Sequence, residues 1–280
     1  MPVAILNGVR AYYEESGDGE PVCLIHGFSA SSYSWRKIIP ILSKSFQVYA
    51  LDLKGFGMSE KPGGDNYSIW SLASWVKQFF DEVGITSTSI VGHSLGGRIG
   101  LLLAASCHER IKNLILINPA AYKPDNQAFF VRLARSHLVT EFMMRGRLAR
   151  YFVRKGLKKA YYNDELITEE VVDNYIKPLL DCEGRRGLTY VARALQKEDI
   201  QATILNYRKI KCPVLLIWGE NDEVLERKMF NRLRKEIEGN ENKPILQSHL
   251  ISECGHIPQE EKPEDVCALT TEFIWKTLPV

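Results

Sequence analysis

Short apolar runs alternate with helical patterns along most of the chain. The runs are continuous rather than interrupted by polar residues, as expected of parallel strands covered on both faces. They occupy residues 22–25, 47–51, 89–91, 114–117, 214–218 and 245–251. Between them, apolar residues recur with helical spacing at residues 71–83, 95–107, 226–237 and 263–276. This order of elements predicts an α/β fold built on a mostly parallel sheet.

The stretch from residue 122 to residue 211 breaks this alternation. It contains no strand-like run but several helical ones, such as residues 129–138 and 171–180. It also holds 18 Lys and Arg against 11 Asp and Glu, a net charge of +7, which leaves −5 for the rest of the chain. We therefore predict a helical insertion at 122–211, serving as a cap or lid, in a core domain formed by 1–121 and 212–280.

The beginning of the chain has the pattern of folded structure rather than of a targeting signal. Residues 1–15 predict two short strands joined at Asn7-Gly8, a dipeptide typical of hairpin turns. No basic segment followed by an apolar one occurs there, and no apolar stretch approaches the roughly 20 residues of a membrane helix. We therefore expect no integral membrane segment.

The six cysteines do not form a disulfide or metal-binding pattern. None are spaced as C-x-x-C, and no group of cysteines and histidines has the spacing of metal ligands. Cys23 and Cys212 lie in or beside apolar runs, where a free thiol behaves as a small buried hydrophobe. This usage favours a reducing compartment, so we expect a cytoplasmic protein without a metal site.

The overall composition is that of an ordinary globular chain. The 280 residues carry a formal net charge of +2, with 45% hydrophobic and 25% charged residues. These values exclude a disordered or fibrous class, and the near-neutral charge gives no argument for a nucleic-acid partner.

The strongest motif is Gly92-His93-Ser94-Leu95-Gly96, which matches G-x-S-x-G. It follows an apolar run and precedes a helical pattern, the context in which this motif forms a strand-to-helix turn. A serine there must adopt positive φ to project its hydroxyl above the sheet, and glycines two residues away avoid collisions. A glycine-rich turn with an incidental serine is the alternative. The motif predicts Ser94 as a nucleophile.

A serine nucleophile needs a histidine base, and that base needs an orienting acid. Asp222 follows the run at 214–218 and His256 follows the run at 245–251, so both lie past strand ends, where open α/β sheets place their sites. Glu220 is an alternative acid, and Asp222 could instead be a turn residue or helix cap. His256 alone lies on a loop after the last strand. The other histidines are His26, His93, His108, His137 and His249.

An oxyanion formed at Ser94 would need preorganised N–H donors. One is expected from Leu95, the residue after the nucleophile. The second is expected from Phe28, in the loop that follows the run at 22–25.

Five motifs, in order, resemble the capped α/β-hydrolase superfamily over nearly the whole chain. They are residues 26–28, 52–59, 92–97, 219–222 and 255–256. The resemblance implies an eight-stranded, mostly parallel sheet with a helical cap inserted after the sixth strand. It implies a Ser94–His256–Asp222 triad, with 52–59 as a loop-ordering element, so that Asp52 stays outside the triad.

The resemblance also bears on the reaction. Haloalkane dehalogenases and epoxide hydrolases of the superfamily carry an aspartate where this chain has Ser94, which disfavours their alkyl-enzyme mechanism. Many dehalogenase-like enzymes place an acid where this chain has Asn118. Meta-cleavage-product hydrolases use serine but typically have tryptophan where this chain has Ile257, which lowers the case for C–C cleavage.

The expected activity is therefore that of a carboxylesterase-like serine hydrolase. It would transfer an acyl group to water from an ester of small to medium size, with no metal or organic cofactor. A C–C bond or lactone hydrolase is the alternative, and a low-turnover ligand-binding protein on this fold is the second.

The predicted insertion carries a basic segment with several possible roles. Residues 132–159 contain nine basic residues and one acid, Glu141, with apolar residues interleaved. The segment could form a solvated helix face, attract an anionic substrate or meet an acidic lipid surface. Arg98, four residues after Ser94, could pair with an acid or approach a substrate carboxylate.

Overall fold

The computed structural model describes residues 2–123, 129–198, 204 and 206–278. Eight strands form one sheet: β1 Val3–Leu6, β2 Val9–Ser16, β3 Pro21–Ile25, β4 Gln47–Leu51, β5 Thr88–His93, β6 Ile111–Ile117, β7 Val214–Gly219 and β8 Leu246–Ile251. Their order across the sheet is β1-β2-β4-β3-β5-β6-β7-β8. β2 pairs antiparallel with both neighbours, and all pairings from β4 to β8 are parallel. The predicted mostly parallel sheet is confirmed.

Helices flank both faces of this sheet and also fill the segment between β6 and β7. The described α-helices are α1 Ile39–Leu42, α2 Ile69–Glu82, α3 Leu95–Ser106, α4 Phe129–Ala134, α5 His137–Met143, α6 Gly146–Ala160, α7 Glu169–Ile176, α8 Cys182–Gln196, α9 Arg227–Glu238, α10 Pro258–Glu261 and α11 Pro263–Thr277. Short 3₁₀ turns join some of them.

Alternate side chains of each central strand enter two different apolar layers. On β7, Val214, Leu216 and Trp218 belong to the layer that includes α2, α3 and α9. Leu215 and Ile217 belong to the opposite layer, with α1 and α11. Since both faces are covered, both sets of side chains must be apolar, which explains the continuous runs. β8 is the exception: it is an edge strand and is mostly half-buried.

The first two strands form the hairpin indicated by the sequence. Asn7 and Gly8 both have positive φ, 50° and 82°, as a two-residue hairpin turn with the twist of its strands requires. β1 pairs with β2 from Val3↔Tyr12 to Leu6↔Val9.

The helical pattern at 129–138 is divided in the structure. α4 ends at Ala134, and α5 begins at His137 after Ser136, whose hydroxyl accepts a hydrogen bond from the N–H of Val139. A serine at this position caps the N-terminus of a new helix, and this local hydrogen bond replaces the continuation of α4. Apolar periodicity alone did not indicate the break.

Helices α4–α8, called here the helical insertion, connect β6 to β7. They lie where the sequence pattern placed an insertion, and the division into 1–121, 122–211 and 212–280 stays a prediction. β3, β5, β6 and β7 all end at the same edge of the sheet, because they run parallel. Residues that follow those strands are therefore brought together beneath the insertion.

Candidate active site

Ser94 lies in the turn between β5 and α3 and has a φ of 52° and a ψ of −112°. Its N–H donates to the carbonyl oxygen of Ile117, 3.0 Å away, which fixes the turn on the end of β6. A Cβ at Gly96 would lie 1.9 Å from the carbonyl oxygen of Ile25, and one at Gly92 would lie 2.6 Å from that of Gly96. Only glycine fits at these positions, so the motif is required by close packing of the backbone.

The structure brings the three predicted triad residues into one hydrogen-bonded chain. His256 Nε2 lies 3.1 Å from Ser94 Oγ, and His256 Nδ1 lies 2.8 Å from Asp222 Oδ2. The order is that of a nucleophile, a base and an orienting acid. His256 and Asp222 are both buried at their side chains. This geometry supports the predicted catalytic roles, which stay a prediction.

Asp222 is held as a carboxylate by several donors. Its Oδ1 accepts from the N–H groups of Val224 and Leu225 at 2.7 and 2.9 Å. Its Oδ2 accepts from Asn118 Nδ2 at 2.6 Å as well as from His256. Burial acts to raise the pKa of Asp222, but His256 and the other donors hold it below its usual value.

Asn118 therefore has a positioning role that the sequence did not reveal. It follows β6 with a φ of 41°, and its Oδ1 accepts from the N–H of Gly219 at 3.1 Å while Nδ2 donates to Asp222. The competing acid, Glu220, is oriented away and pairs instead with Arg227 at 3.0 Å.

The predicted oxyanion donors lie beside Ser94. Phe28 and Leu95 line the same pocket as Ser94 and His256. Neither backbone N–H donates a hydrogen bond to another described residue. Leu95 is the first residue of α3, where an N–H has no partner within the helix and forms part of the positive end of the helix dipole. Both groups are thus available to an oxyanion.

His93 supports the loop of His256. Its Nε2 lies 2.8 Å from the carbonyl oxygen of His256, so Nε2 carries the proton and donates it. Burial lowers the pKa of His93 to about 3, and the ring is neutral at physiological pH. The sequence placed His93 in the motif but gave no signal for this contact.

A cavity of about 310 Å³ extends from Ser94 into the helical insertion. Its wall is mostly apolar, and the insertion contributes the side chains Val131, Leu133, Met143, Met144, Val153, Leu157, Leu179, Leu188 and Leu195. A pocket of this kind suits the apolar part of a small-molecule ligand.

The wall of this pocket also contains a buried ion pair. Arg98 Nη2 of α3 lies 3.0 Å from Glu198 Oε2, just after α8, so the pair joins the sheet layer to the helical insertion. Burial raises the pKa of Glu198, and Arg98 acts to lower it. The sequence left two roles open for Arg98, pairing with an acid or approaching a substrate carboxylate. In the structure Arg98 pairs with an acid, Glu198.

A second cluster, around the buried Glu260, ties the insertion to the segment that follows His256. Glu260 is fully buried and accepts hydrogen bonds from Arg36, from Tyr161 at 2.6 Å and from Tyr175. The N–H of His256 donates to the carbonyl oxygen of Ala160, at 2.6 Å. The end of α6 is thus joined through backbone to the loop before α10, and the insertion is joined through side chains to α10 itself.

Comparison with known proteins agrees with this architecture. A family model described as the alpha/beta hydrolase fold matches residues 20–263. The chain belongs to the α/β-hydrolase family. It is similar to the uncharacterized hydrolase YugF of Bacillus subtilis, with 29% identity over 274 residues that cover 96% of each chain. Because its homologues in this family are hydrolases, the chain is a hydrolase.

Two further matches are to hydrolases that are named for different reactions. The bifunctional epoxide hydrolase 2 of Sus scrofa is 26% identical over 308 residues, which cover 97% of this chain and 54% of that protein, so the chain spans about half its length. The structure of a meta-cleavage product hydrolase from Pseudomonas fluorescens superposes with a TM-score of 0.85 and 25% identity, over 99% of this chain and 98% of the other.

The described part of this α/β-hydrolase holds no group of three or more His, Cys, Asp or Glu placed to bind a metal ion. Within the same residues, no helix is long and apolar enough to cross a membrane. All six cysteines lie among the described residues as free thiols, five of them buried and Cys182 exposed.

His26 gives this α/β-hydrolase a testable pH dependence. Its Nδ1 lies 2.8 Å from the carbonyl oxygen of Gly27, and its Nε2 accepts the N–H of Leu53 at 3.0 Å, so only the neutral ring satisfies both contacts. Burial lowers the pKa of His26 to about 4. Below an unfolded-state pKa of about 6.5, the unfolded chain binds a proton that the folded chain does not, so stability falls as pH falls.

From pH 7.5 to pH 5, this difference is expected to reduce the free energy of unfolding by about 2 kcal/mol. In urea unfolding measured across that range, His26→Gln should lose about 2 kcal/mol less than the wild type. His108→Gln, at a half-exposed site, is the matched control and should follow the wild type. The same pH dependence in His26→Gln and the wild type would contradict this assignment.

Proposed function

We propose that this chain is a serine acyl hydrolase of the carboxylesterase kind, acting on esters with an apolar acyl group. The observation that carries the proposal is the hydrogen-bonded chain Ser94–His256–Asp222, which opens into an apolar cavity of about 310 Å³. A hydroxyl nucleophile joined to a histidine and a carboxylate is the arrangement that acyl transfer requires.

The reaction follows from the positions of these groups. Ser94 Oγ attacks the ester carbonyl while His256 Nε2 takes its proton, and Asp222 stabilises the imidazolium. The carbonyl oxygen becomes an oxyanion that accepts the N–H groups of Phe28 and Leu95. His256 then gives its proton to the leaving alkoxide, and a water activated by His256 releases the acid from Ser94.

The helical insertion acts as a cap in this proposal. Its apolar side chains form most of the cavity wall away from Ser94, so they bind the acyl group and exclude water from the acyl-enzyme. The Arg98–Glu198 pair and the Glu260 cluster hold the cap against the sheet domain.

A C–C bond hydrolase is the second candidate, because the meta-cleavage product hydrolase of Pseudomonas fluorescens is similar over 99% of the chain. Ile257, buried after His256, stands where those enzymes typically have tryptophan. Epoxide hydrolases are also relatives, but their mechanism uses an aspartate where this chain has Ser94. Ile257 and Ser94 therefore favour ester hydrolysis over C–C bond cleavage and epoxide hydrolysis.

A series of p-nitrophenyl esters with increasing acyl length tests the proposal. We expect kcat/KM to rise from acetate toward medium chains as each methylene is buried, by roughly threefold to fourfold per methylene, since its burial contributes about 0.8 kcal/mol. The increase should end where the chain fills the cavity. No turnover of any ester, together with cleavage of a meta-cleavage product, would establish the second candidate instead.

Val153→Phe tests whether the cap binds the acyl group. Val153 lines the cavity from α6, so a larger ring there should lower kcat/KM for medium chains by about tenfold and leave acetate nearly unchanged. Val3→Phe adds the same ring on exposed β1 and should change neither rate. An equal loss on both esters would mean that the acyl group does not lie against α6.

A further inference from the structure

Helices α5 and α6 present large apolar side chains to solvent. Phe142 lies four residues after Leu138 on α5, and Tyr151 lies three after Leu148 on α6, so each pair shares one face of its helix. Their exposed fractions are high for apolar residues: Leu138 81%, Phe142 70%, Leu148 40% and Tyr151 58%. A cluster of exposed apolar side chains is a common mark of an interaction site.

Exposed cations accompany these side chains along α6. Arg145, Arg147, Lys155 and Lys159 are all exposed on or beside α6. The Lys155 ammonium lies 6.0 Å from the centre of the Tyr151 ring. We define the insertion surface as Leu138, Phe142, Leu148 and Tyr151 together with Arg145, Arg147, Lys155 and Lys159.

Other cations of α6 pair with acids on α7 or between the two helices. Glu169 and Asp173 of α7 pair with Arg150, and Glu169 also pairs with Arg154. Those two arginines, and Lys158 through its pair with Asp164, are therefore occupied by acids outside the insertion surface. Among the four cations of the insertion surface, Arg145 alone has an ion pair with a described residue, Glu141. The surface keeps a net positive charge.

The insertion surface borders the cavity that contains Ser94. Thr140 and Met143 of α5 line the cavity, and so do Gly156 and Lys159 of α6. Lys159 is also exposed, so the cavity wall reaches solvent at the edge of the insertion surface. A small molecule that arrives at the insertion surface therefore has a short path into the cavity at Ser94.

We infer that the insertion surface docks on an anionic lipid bilayer. Apolar side chains flanked by cations match an interface where acyl chains lie beneath negatively charged headgroups. A nucleic acid would pair with the cations but leave Leu138 and Phe142 in water. A second copy on a two-fold axis would place like charges opposite each other. The inference concerns binding and does not depend on which bond the site cleaves.

Cosedimentation with vesicles tests this inference, using Ser94→Ala protein so that no lipid is consumed. Vesicles of phosphatidylcholine with phosphatidylglycerol should bind the protein, pure phosphatidylcholine vesicles should bind it at least about tenfold more weakly, and high salt should release it. Equal binding to both kinds of vesicle, or no binding to either, overturns the inference.

Paired variants assign the binding to the insertion surface. Lys155→Glu with Lys159→Glu should weaken binding at least about twentyfold, because each charge near an anionic surface contributes about fivefold. Lys44→Glu with Lys235→Glu, at exposed sites near the opposite end of the sheet, makes the same change in net charge and should have a much smaller effect. Equal losses in the two double variants overturn the inference.

The apolar contribution is tested in the same assay. Leu138→Ser with Phe142→Ser should weaken binding at least about tenfold, while Ile245→Ser, an exposed site before β8, should not change it. Circular dichroism verifies that the variants are folded. Sedimentation velocity without vesicles tests whether a second copy of the chain covers the surface instead. If the wild type is a dimer and Leu138→Ser with Phe142→Ser is a monomer, the surface binds a second copy and the inference is overturned.

Discussion

Ser94→Ala is expected to lower kcat/KM toward p-nitrophenyl esters by about 10³-fold to 10⁶-fold, the largest effect of any single substitution in this chain. The hydroxyl lies 3.1 Å from His256 Nε2, and no other group on the turn can form the acyl bond. The remaining activity would come from the Phe28 and Leu95 N–H groups and from binding, which the substitution leaves in place. The backbone should keep its positive φ, since alanine and serine meet the same steric limits there.

A fluorophosphonate gives a direct second measurement of the same prediction. It should label the wild-type protein once and leave Ser94→Ala unlabelled. Ser29→Ala is the matched control, because Ser29 lines the same cavity and also has a positive φ, 59°, but does not contact His256. Labelling that persists in Ser94→Ala, or that is lost in Ser29→Ala, would contradict the assignment of the nucleophile.

The sheet could be predicted because its physical cause is local in sequence. A parallel strand covered on both faces needs apolar residues at every position, and Val214 to Trp218 show this directly. The Ser94 turn is local too, since Gly92 and Gly96 are required by contacts within a few residues and with β3. The positions of Asp222 and His256 then follow from the rule that parallel strands end at one edge.

The remainder of the site depends on pairings that no local pattern indicates. Tyr161 and Glu260 are 99 residues apart, and Asn118 and Asp222 are 104 apart. Asn118 looks like an ordinary residue after a strand until its partner is known. The helical insertion is similar: its periodicity predicts helices, but not the break at Ser136 or which helix faces line the cavity.

Glu260 shows why such a pairing matters for function. Its carboxylate is fully buried and meets one cation, Arg36, and two phenols from the insertion, Tyr161 and Tyr175. Burial together with Glu260 raises the pKa of both phenols above their usual value, so they remain protonated donors. The loop directly before α10 carries His256, whose N–H donates to the carbonyl oxygen of Ala160 at the end of α6. The helices over the cavity and the loop of His256 are therefore held by neighbouring contacts.

Glu260→Ala should lower the free energy of unfolding by about 3–5 kcal/mol, because it leaves the half-buried guanidinium of Arg36 and the hydroxyls of Tyr161 and Tyr175 without their acceptor. That loss corresponds to a fall in Tm of roughly 6–20 °C. Glu260→Gln keeps an acceptor for the tyrosines but not the charge opposite Arg36, and is the variant to use if Glu260→Ala does not fold.

Tyr175→Phe removes a single donor from this cluster and separates support of the site from stability alone. It should lower kcat/KM several-fold at temperatures where the variant is fully folded, because α7 is less firmly held over the cavity. Tyr162→Phe, at a half-exposed ring beside the same junction, is the matched control and should change neither Tm nor kcat/KM. If Tyr175→Phe lowers Tm while kcat/KM stays at the wild-type value, the cluster stabilises the fold without positioning the site.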